Sequence, residues 1–156
     1  MHEYCVSTDV ALAIHPDTLT FPRGFLWGAA TSAHQTEGNN HNSDWWRSEV
    51  DGLVPYRSGD ACQSWHRWPE DLQVLQELGL NAFRLSVEWA RIEPRPGVID
   101  HAAVAHYREI IEAVRAAGIE PIVTLHHFTN PIWLSQAGGW ARPEVVPRFA
   151  VRRSHR

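Results

Sequence analysis

The chain is poor in several features that would each have pointed to a function class. Only two cysteines, Cys5 and Cys62, occur in 156 residues. They make no disulfide framework and fit no zinc-ligand spacing, so they read as free thiols in a reducing, cytoplasmic setting. No apolar run approaches the ~18–20 residues that a membrane helix needs. The first twenty residues hold only Val10-Ala11-Leu12-Ala13-Ile14, shorter than the ~7–15 residues of a signal-peptide core. A membrane or secreted protein is therefore not expected. The basic residues are scattered except at the very end and the formal net charge is −4, which counts against a nucleic-acid partner. There is no G-x-S-x-G elbow and no Gly-rich phosphate turn after the first apolar run, since Gly24, Gly28 and Gly38 lie too far apart.

What the chain has in excess is tryptophan. Eight occur, at positions 27, 45, 46, 65, 68, 89, 133 and 140, against three tyrosines and one methionine. Trp offers a large flat apolar face with a single donor, suited both to cores and to stacking on sugar rings. Core packing is expected to absorb most of them.

Residues 1–20 show no sustained periodicity and read as a loosely ordered lead-in. Phe25-Leu26-Trp27-Gly28-Ala29-Ala30 predicts a buried strand. The long polar stretch Gly38–Ser64 reads as a connection of functional importance, and Trp45-Trp46 within it argues against disorder. A helix is predicted from Pro69 in its first turn, with Trp68, Leu72, Leu75 and Leu78 on one face and Gly79 as its stop. Asn81–Trp89 alternates with period two. Phe83, Leu85, Val87 and Trp89 point one way, and Arg84, Ser86 and Glu88 the other. Asp100 is a candidate N-cap for a helix that carries Tyr107, Ile110, Ile111 and Val114 and stops at Gly118. Ile119–Phe128 predicts a third strand, and Arg142-Pro143-Glu144 starts another helical segment.

Strand, helix, strand, helix, strand and incipient helix spell right-handed βαβ crossovers and a parallel sheet, an α/β fold. A (β/α)₈ barrel fits better than a doubly wound sheet. An inward-facing Arg84 is costly unless a carboxylate answers it, and barrel mouths are where such pairs are built. A structural ion pair with another strand is the plainer account of the same residue.

All three strands lead into polar groups: His34-Gln35-Thr36-Glu37, Glu88-Trp89-Ala90-Arg91 and His126-His127-Phe128-Thr129-Asn130. Read as extended chain, Gln35 and Glu37 face one side, and a Gln amide matches a sugar hydroxyl pair by offering both donor and acceptor. His126 and His127, adjacent on a strand, point to opposite faces, so a two-His metal site is disfavoured.

These stretches resemble a known family. Phe25-Leu26-Trp27-Gly28-Ala29-Ala30-Thr31-Ser32-Ala33-His34-Gln35-Thr36-Glu37-Gly38 is similar to the N-terminal signature of glycoside hydrolase family 1, the β-glucosidases and β-galactosidases. Phe83–Pro94 resembles its second strand and Thr124–Leu134 its third, in the right order across residues 21–140. The resemblance implies a (β/α)₈ TIM-type barrel hydrolysing terminal β-glycosides with retention of configuration, without cofactor or metal. It implies that Gln35 and His127 hydrogen-bond hydroxyls of the non-reducing-end sugar, that Phe128 belongs to the same substrate-binding set, and that Arg84 pairs with the nucleophile carboxylate. Three positions depart from the family's usual residues: His34 stands for Tyr, Phe128 for Trp and Thr129 for Asp.

Retaining glycosidases need two carboxylates ~5–5.5 Å apart. In the family the acid/base lies in an Asn-Glu-Pro motif after strand four and the nucleophile after strand seven. No Asn-Glu-Pro occurs in these 156 residues, and Glu37, Glu88 and Glu93 sit in other motifs. The expected organisation is a lead-in over 1–20, the first three βα units of a barrel over 21–150, and an atypical basic tail over 151–156 that reads as a truncated or out-of-frame end. Such a chain is expected to be marginally folded and without glycosidase turnover of its own. The alternative is a non-catalytic sugar-binding or partner-dependent fragment using Gln35, His127 and the tryptophans. A metal-dependent hydrolase built on His127 is a third and weaker reading.

Overall fold

The computed structural model describes residues 20–151. The expected lead-in, the basic tail beyond Val151 and Cys5 lie outside the described residues. Three short strands, β1 (Gly28–Ala30), β2 (Ala82–Ser86) and β3 (Glu120–Thr124), form one parallel sheet in the order β1-β2-β3. Helix α1 (Ala33–Thr36) and helix α2 (Asp44–Val50) follow β1, and α3 (Ser64–Glu77) crosses to β2. A short α4 (Trp89–Ile92) and the longer α5 (His101–Ala116) lead to β3, and α6 (Ile132–Gln136) and α7 (Val145–Val151) follow it. Among the described residues no helix is long and apolar enough to cross a membrane.

The alternation in β2 decides the layering. Phe83 and Leu85 pack with Leu75 of α3, Ile110 and Val114 of α5, and Ile119 into one buried cluster. Each such side chain removed from water contributes ~1.5–3 kcal/mol before entropy is set against it. Both crossover helices therefore cover the same face, and the sheet advances in one direction. Arg84, Ser86 and Glu88 are left to the opposite side and to the strand's end.

Both long helices stop as their glycines predict. Gly79 and Gly118 have φ of +66° and +76°, and in each case the next two amides turn back on the last turn. Gly79 N–H donates to the Gln76 carbonyl and Leu80 N–H to Leu75, as Gly118 N–H does to Arg115 and Ile119 N–H to Val114. This left-handed stop aims the chain straight into β2 and β3. At the other end of α5, Asp100 accepts from the amides of Ala102 and Ala103 at 2.9 and 3.1 Å.

Several boundaries differ from the sequence expectation, each for a tertiary reason. Helix α3 begins at Ser64, so Pro69 lies inside it. Its missing N–H frees the Trp65 carbonyl, and His106 of α5 donates Nε2–H to that oxygen at 2.8 Å. The polar stretch Gly38–Ser64 contains α2, whose N-cap Ser43 accepts from Trp46 N–H at 3.1 Å. Strand β1 is shorter than predicted and its three residues are exposed rather than buried, and the chain after it turns helical because Ser86 Oγ accepts Ala33 N–H at 2.7 Å. Gln35 and Glu37 accordingly do not share a face: Gln35 is exposed and Glu37 buried. Strand β2 ends at Ser86, and β3 at Thr124 rather than Phe128. Trp89 thus leaves the Phe83–Leu85 face and joins a second cluster with Leu134 and Val145. Trp89 is the one fully buried tryptophan among the eight, while Trp27, Trp45 and Trp140 are exposed. Core packing does not account for most of them.

Asp100→Ala removes both cap acceptors and is expected to cost about 1 kcal/mol, read as a lower urea midpoint at unchanged slope. A midpoint equal to the parent's would contradict the cap's role.

Candidate functional site

The three strand ends converge on Glu88. Leaving β2, its carboxylate caps α4 through Ala90 N–H at 3.1 Å. Its other oxygen accepts Asn40 Nδ2 at 2.7 Å, from the chain after β1, and Thr129 Oγ1 at 2.8 Å, from the chain after β3. Its own amide donates to the Tyr107 hydroxyl oxygen at 3.0 Å. Glu88 is 2% exposed, so these donors replace the water it has lost. Thr129 stands where the family resemblance leads one to expect Asp. A second carboxylate there would oppose Glu88, whereas the hydroxyl donates to it.

Tyr107 carries the network to Glu37, donating to Oε1 at 2.7 Å, while Arg91 Nε donates to Oε2 at 2.7 Å. Arg91 also donates to the Gly38 carbonyl and lies 4.2 Å above the Trp65 ring. Burial raises the Glu37 carboxyl to about 7, against the lowering pull of Arg91 and of the Tyr107 hydrogen bond. Burial also pushes the Tyr107 hydroxyl well above its ordinary range, and the charge of Glu37 adds to it.

On the other side of Asn40 lies His34, itself 3% exposed. Asn40 Nδ2 donates to His34 Nδ1 at 3.3 Å, so the opposite nitrogen bears the proton and donates to Glu49 Oε1 at 2.9 Å. Glu49 Oε2 accepts both the amide and the hydroxyl of Ser58, at 2.9 and 2.8 Å. Burial pushes the Glu49 carboxyl up, but the hydrogen bonds from His34 and Ser58 outweigh it and hold it below the usual carboxylate range.

Above this polar floor runs a groove lined by His34, Gln35, Trp45, Tyr56, Arg57 and Phe128. Phe128 and Trp45 meet edge to face with ring centroids 5.2 Å apart. Phe128 has φ of +51°, in the left-handed region that an aromatic residue occupies only when its surroundings hold it there. His127 is half-buried beside it, ring centroids 5.4 Å apart. Gln35 Oε1 accepts from Ser32 Oγ.

The structure thus brings Gln35 and Phe128 onto one groove, with His127 next to Phe128. The nucleophile carboxylate expected to pair with Arg84 comes after strand seven of the family's barrel and is not among these residues. Among the described residues no carboxylate answers Arg84, and its Nη1 donates to the Thr31 carbonyl at 2.7 Å. Among the described residues no cluster of His, Cys, Asp and Glu is arranged to hold a metal ion. His126 turns away to Asn130 and the Trp140 ring. The residues that sequence reasoning missed are Asn40, Glu49 and Ser58. Their one signal was the Trp pair in a polar stretch, which marks the stretch as packed without saying against what.

The raised Glu37 pKa has a pH signature. Between about 4.5 and 7 the folded chain binds a proton at Glu37 that the unfolded chain has lost, so this group's contribution to stability falls as pH rises through that window. Glu37→Gln is expected to abolish this component, which amounts to at most about 1.4 kcal/mol per pH unit. Paired urea titrations of parent and variant across the window would show it as a changing stability difference; a constant difference would contradict the assignment.

Known proteins resemble this chain in both sequence and fold. The profile described as glycosyl hydrolase family 1 matches residues 17–152. The chain is 37% identical over 141 residues to β-glucosidase A of Thermotoga maritima, covering 83% of this chain and 31% of that protein. It is 38% identical over 145 residues to human lactase/phlorizin hydrolase, covering 83% of this chain and 7% of that one. The solved β-glycosidase from Pyrococcus horikoshii superposes with a TM-score of 0.79 at 48% identity, over 82% of this chain and 30% of that chain. The chain spans about a third or less of the length of the relatives it matches. By sequence and by fold it belongs to glycosyl hydrolase family 1.

Proposed function

We propose that this chain forms part of the sugar-binding face of a retaining β-glycosidase, built on the first three units of a (β/α)₈ barrel over residues 21–150. The observation that carries this reading is the groove at the strand ends. An exposed amide, Gln35, and an aromatic wall, Trp45 and Phe128, stand over a fully hydrogen-bonded floor. Apolar faces for the C–H side of a pyranose beside a few placed polar groups for its hydroxyls are what a sugar site requires. In this role Gln35 and His127 hydrogen-bond hydroxyls of the non-reducing-end sugar, and Phe128 packs on its ring. Arg84 orients a carboxylate contributed from elsewhere in the barrel.

The substrate class is a small β-glycoside or oligosaccharide. The relative from Thermotoga maritima has been solved with castanospermine and with deoxynojirimycin, which supports a small-molecule ligand for the groove. Binding, rather than bond cleavage, is what these 156 residues contribute. Glu37 is saturated by Tyr107 and Arg91, and Glu88 by Asn40, Thr129 and Ala90. Glu93 is held by Trp89 Nε1 and Gly97 N–H. None is a free acid or nucleophile facing the groove.

Two measurements test this. The purified chain is expected to show no hydrolysis of a nitrophenyl β-glucoside above a mock purification, and turnover well above that background would overturn the division of labour. Titration with deoxynojirimycin is expected to change tryptophan fluorescence through Trp45. Gln35→Ala and His127→Ala should each weaken that binding about tenfold, the effect of ~1.4 kcal/mol for a lost hydrogen bond to a ligand. Undiminished binding in both variants would overturn the assignment of these residues.

A further inference from the structure

One buried carboxylate outside the proposed contact set ties two walls of the groove together. Glu49 is 5% exposed and stands on α2. One oxygen takes Nε2–H of His34, the residue immediately before Gln35, and the other takes Ser58 through both its amide and its hydroxyl. Ser58 ends the stretch Val54–Ser58, which lines the groove together with Phe128 and carries the highly exposed Tyr56 and the exposed Arg57. Residues 51–58 lie outside helix and strand. The only hydrogen bonds given by Ser58's amide and hydroxyl among the described residues run to Glu49.

We infer that Glu49 is a positioning residue that fixes the width of the groove by strapping the Val54–Ser58 loop to His34 beneath Gln35. The inference rests on the sugar-site reading for what the width is for, and on geometry alone for the strap. Three charge-assisted hydrogen bonds meet on one carboxylate out of water, where each is stronger than at the surface. Losing the charge weakens all three at once, because an amide in its place has one acceptor oxygen and turns an N–H₂ toward donors. The loop then keeps its covalent ends but loses its anchor, and Tyr56 and Arg57 no longer stand at a set distance from Phe128. A groove of undefined width presents no complementary surface to a ring, so sugar affinity falls although no sugar contact has been removed.

The test reads the strap and the sugar separately, on the full chain. Trypsin cleaves after Arg57 only when the Arg57–Ser58 bond is drawn out, which requires the Ser58 amide to leave Glu49. Glu49→Gln is expected to speed native-state cleavage after Arg57 at least about tenfold relative to cleavage after Arg23, which stands in an exposed turn and does not line the groove. Ser58→Ala, which removes one of the three bonds and buries nothing new, should move the same ratio in the same direction by a smaller factor. An unchanged Arg57 to Arg23 ratio in both variants would overturn the strap. Deoxynojirimycin titration of the same samples is expected to show affinity falling about tenfold in Glu49→Gln with the parent's amplitude retained. Faster cleavage with unaltered affinity would overturn the link between strap and site. A parent chain that binds no deoxynojirimycin, while the cleavage ratios still shift, would refute the sugar-site reading and leave the strap standing.

Discussion

The ends of three parallel strands are held together by one buried carboxylate. Glu88 collects a donor from the chain after β1, a donor from the chain after β3 and the Ala90 amide, the second of α4. A carboxyl group so far from water is tolerable only when hydrogen-bond partners replace the water it has lost, so the surrounding chain is not free to vary. Asn40 must present its amide, Thr129 its hydroxyl, and Tyr107 must reach Glu88 N–H from α5. The groove above inherits its shape from these requirements. Asn40 is shared with His34, and His34 passes the constraint to Glu49 and Ser58.

Two carboxylates in this network lie on opposite sides of the ordinary range for physical reasons that the geometry makes plain. Glu49 receives three donors and is held low. Glu37 has as close a partner in Arg91, yet its burial and the nearby charge of Glu88 win, and its carboxyl rises to about 7. Arg91 is shared with the Gly38 carbonyl and the face of Trp65, so its charge is not spent on Glu37 alone. The contrast separates a group that anchors a loop from one that burial holds near neutrality.

Much of the layering was legible from local pattern. The period-two run through Phe83 and Leu85, the Asp100 cap and the Gly79 and Gly118 stops are dictated by residues within a few positions of each other, and the structure follows them. What was not legible depends on partners far along the chain. Helix α3 runs through Pro69 because His106 of α5, far along the chain, satisfies the orphaned Trp65 carbonyl. The strand predicted to continue into Gln35 and Glu37 turns helical because Ser86 captures the Ala33 amide. Trp89 leaves the face its alternation predicts because Glu88 ends the strand as a cap. The family resemblance named Gln35, His127 and Phe128, and the structure places Gln35 and Phe128 on one groove with His127 beside Phe128. The Thr31 carbonyl that Arg84 meets within these residues had no signal in the sequence. Nor did the resemblance point to Glu49.

The central claim is that this network shapes a sugar-binding face at the strand ends. The most direct measurement is a titration of the ¹⁵N-labelled chain with deoxynojirimycin, followed by amide and side-chain shifts. The account predicts saturable shifts concentrated at Gln35, Trp45, His127 and Phe128, with smaller ones at His34 and Asn40 beneath them. Shifts confined to the helical face around Phe83 and Val114, or no saturable shifts at all, would contradict it.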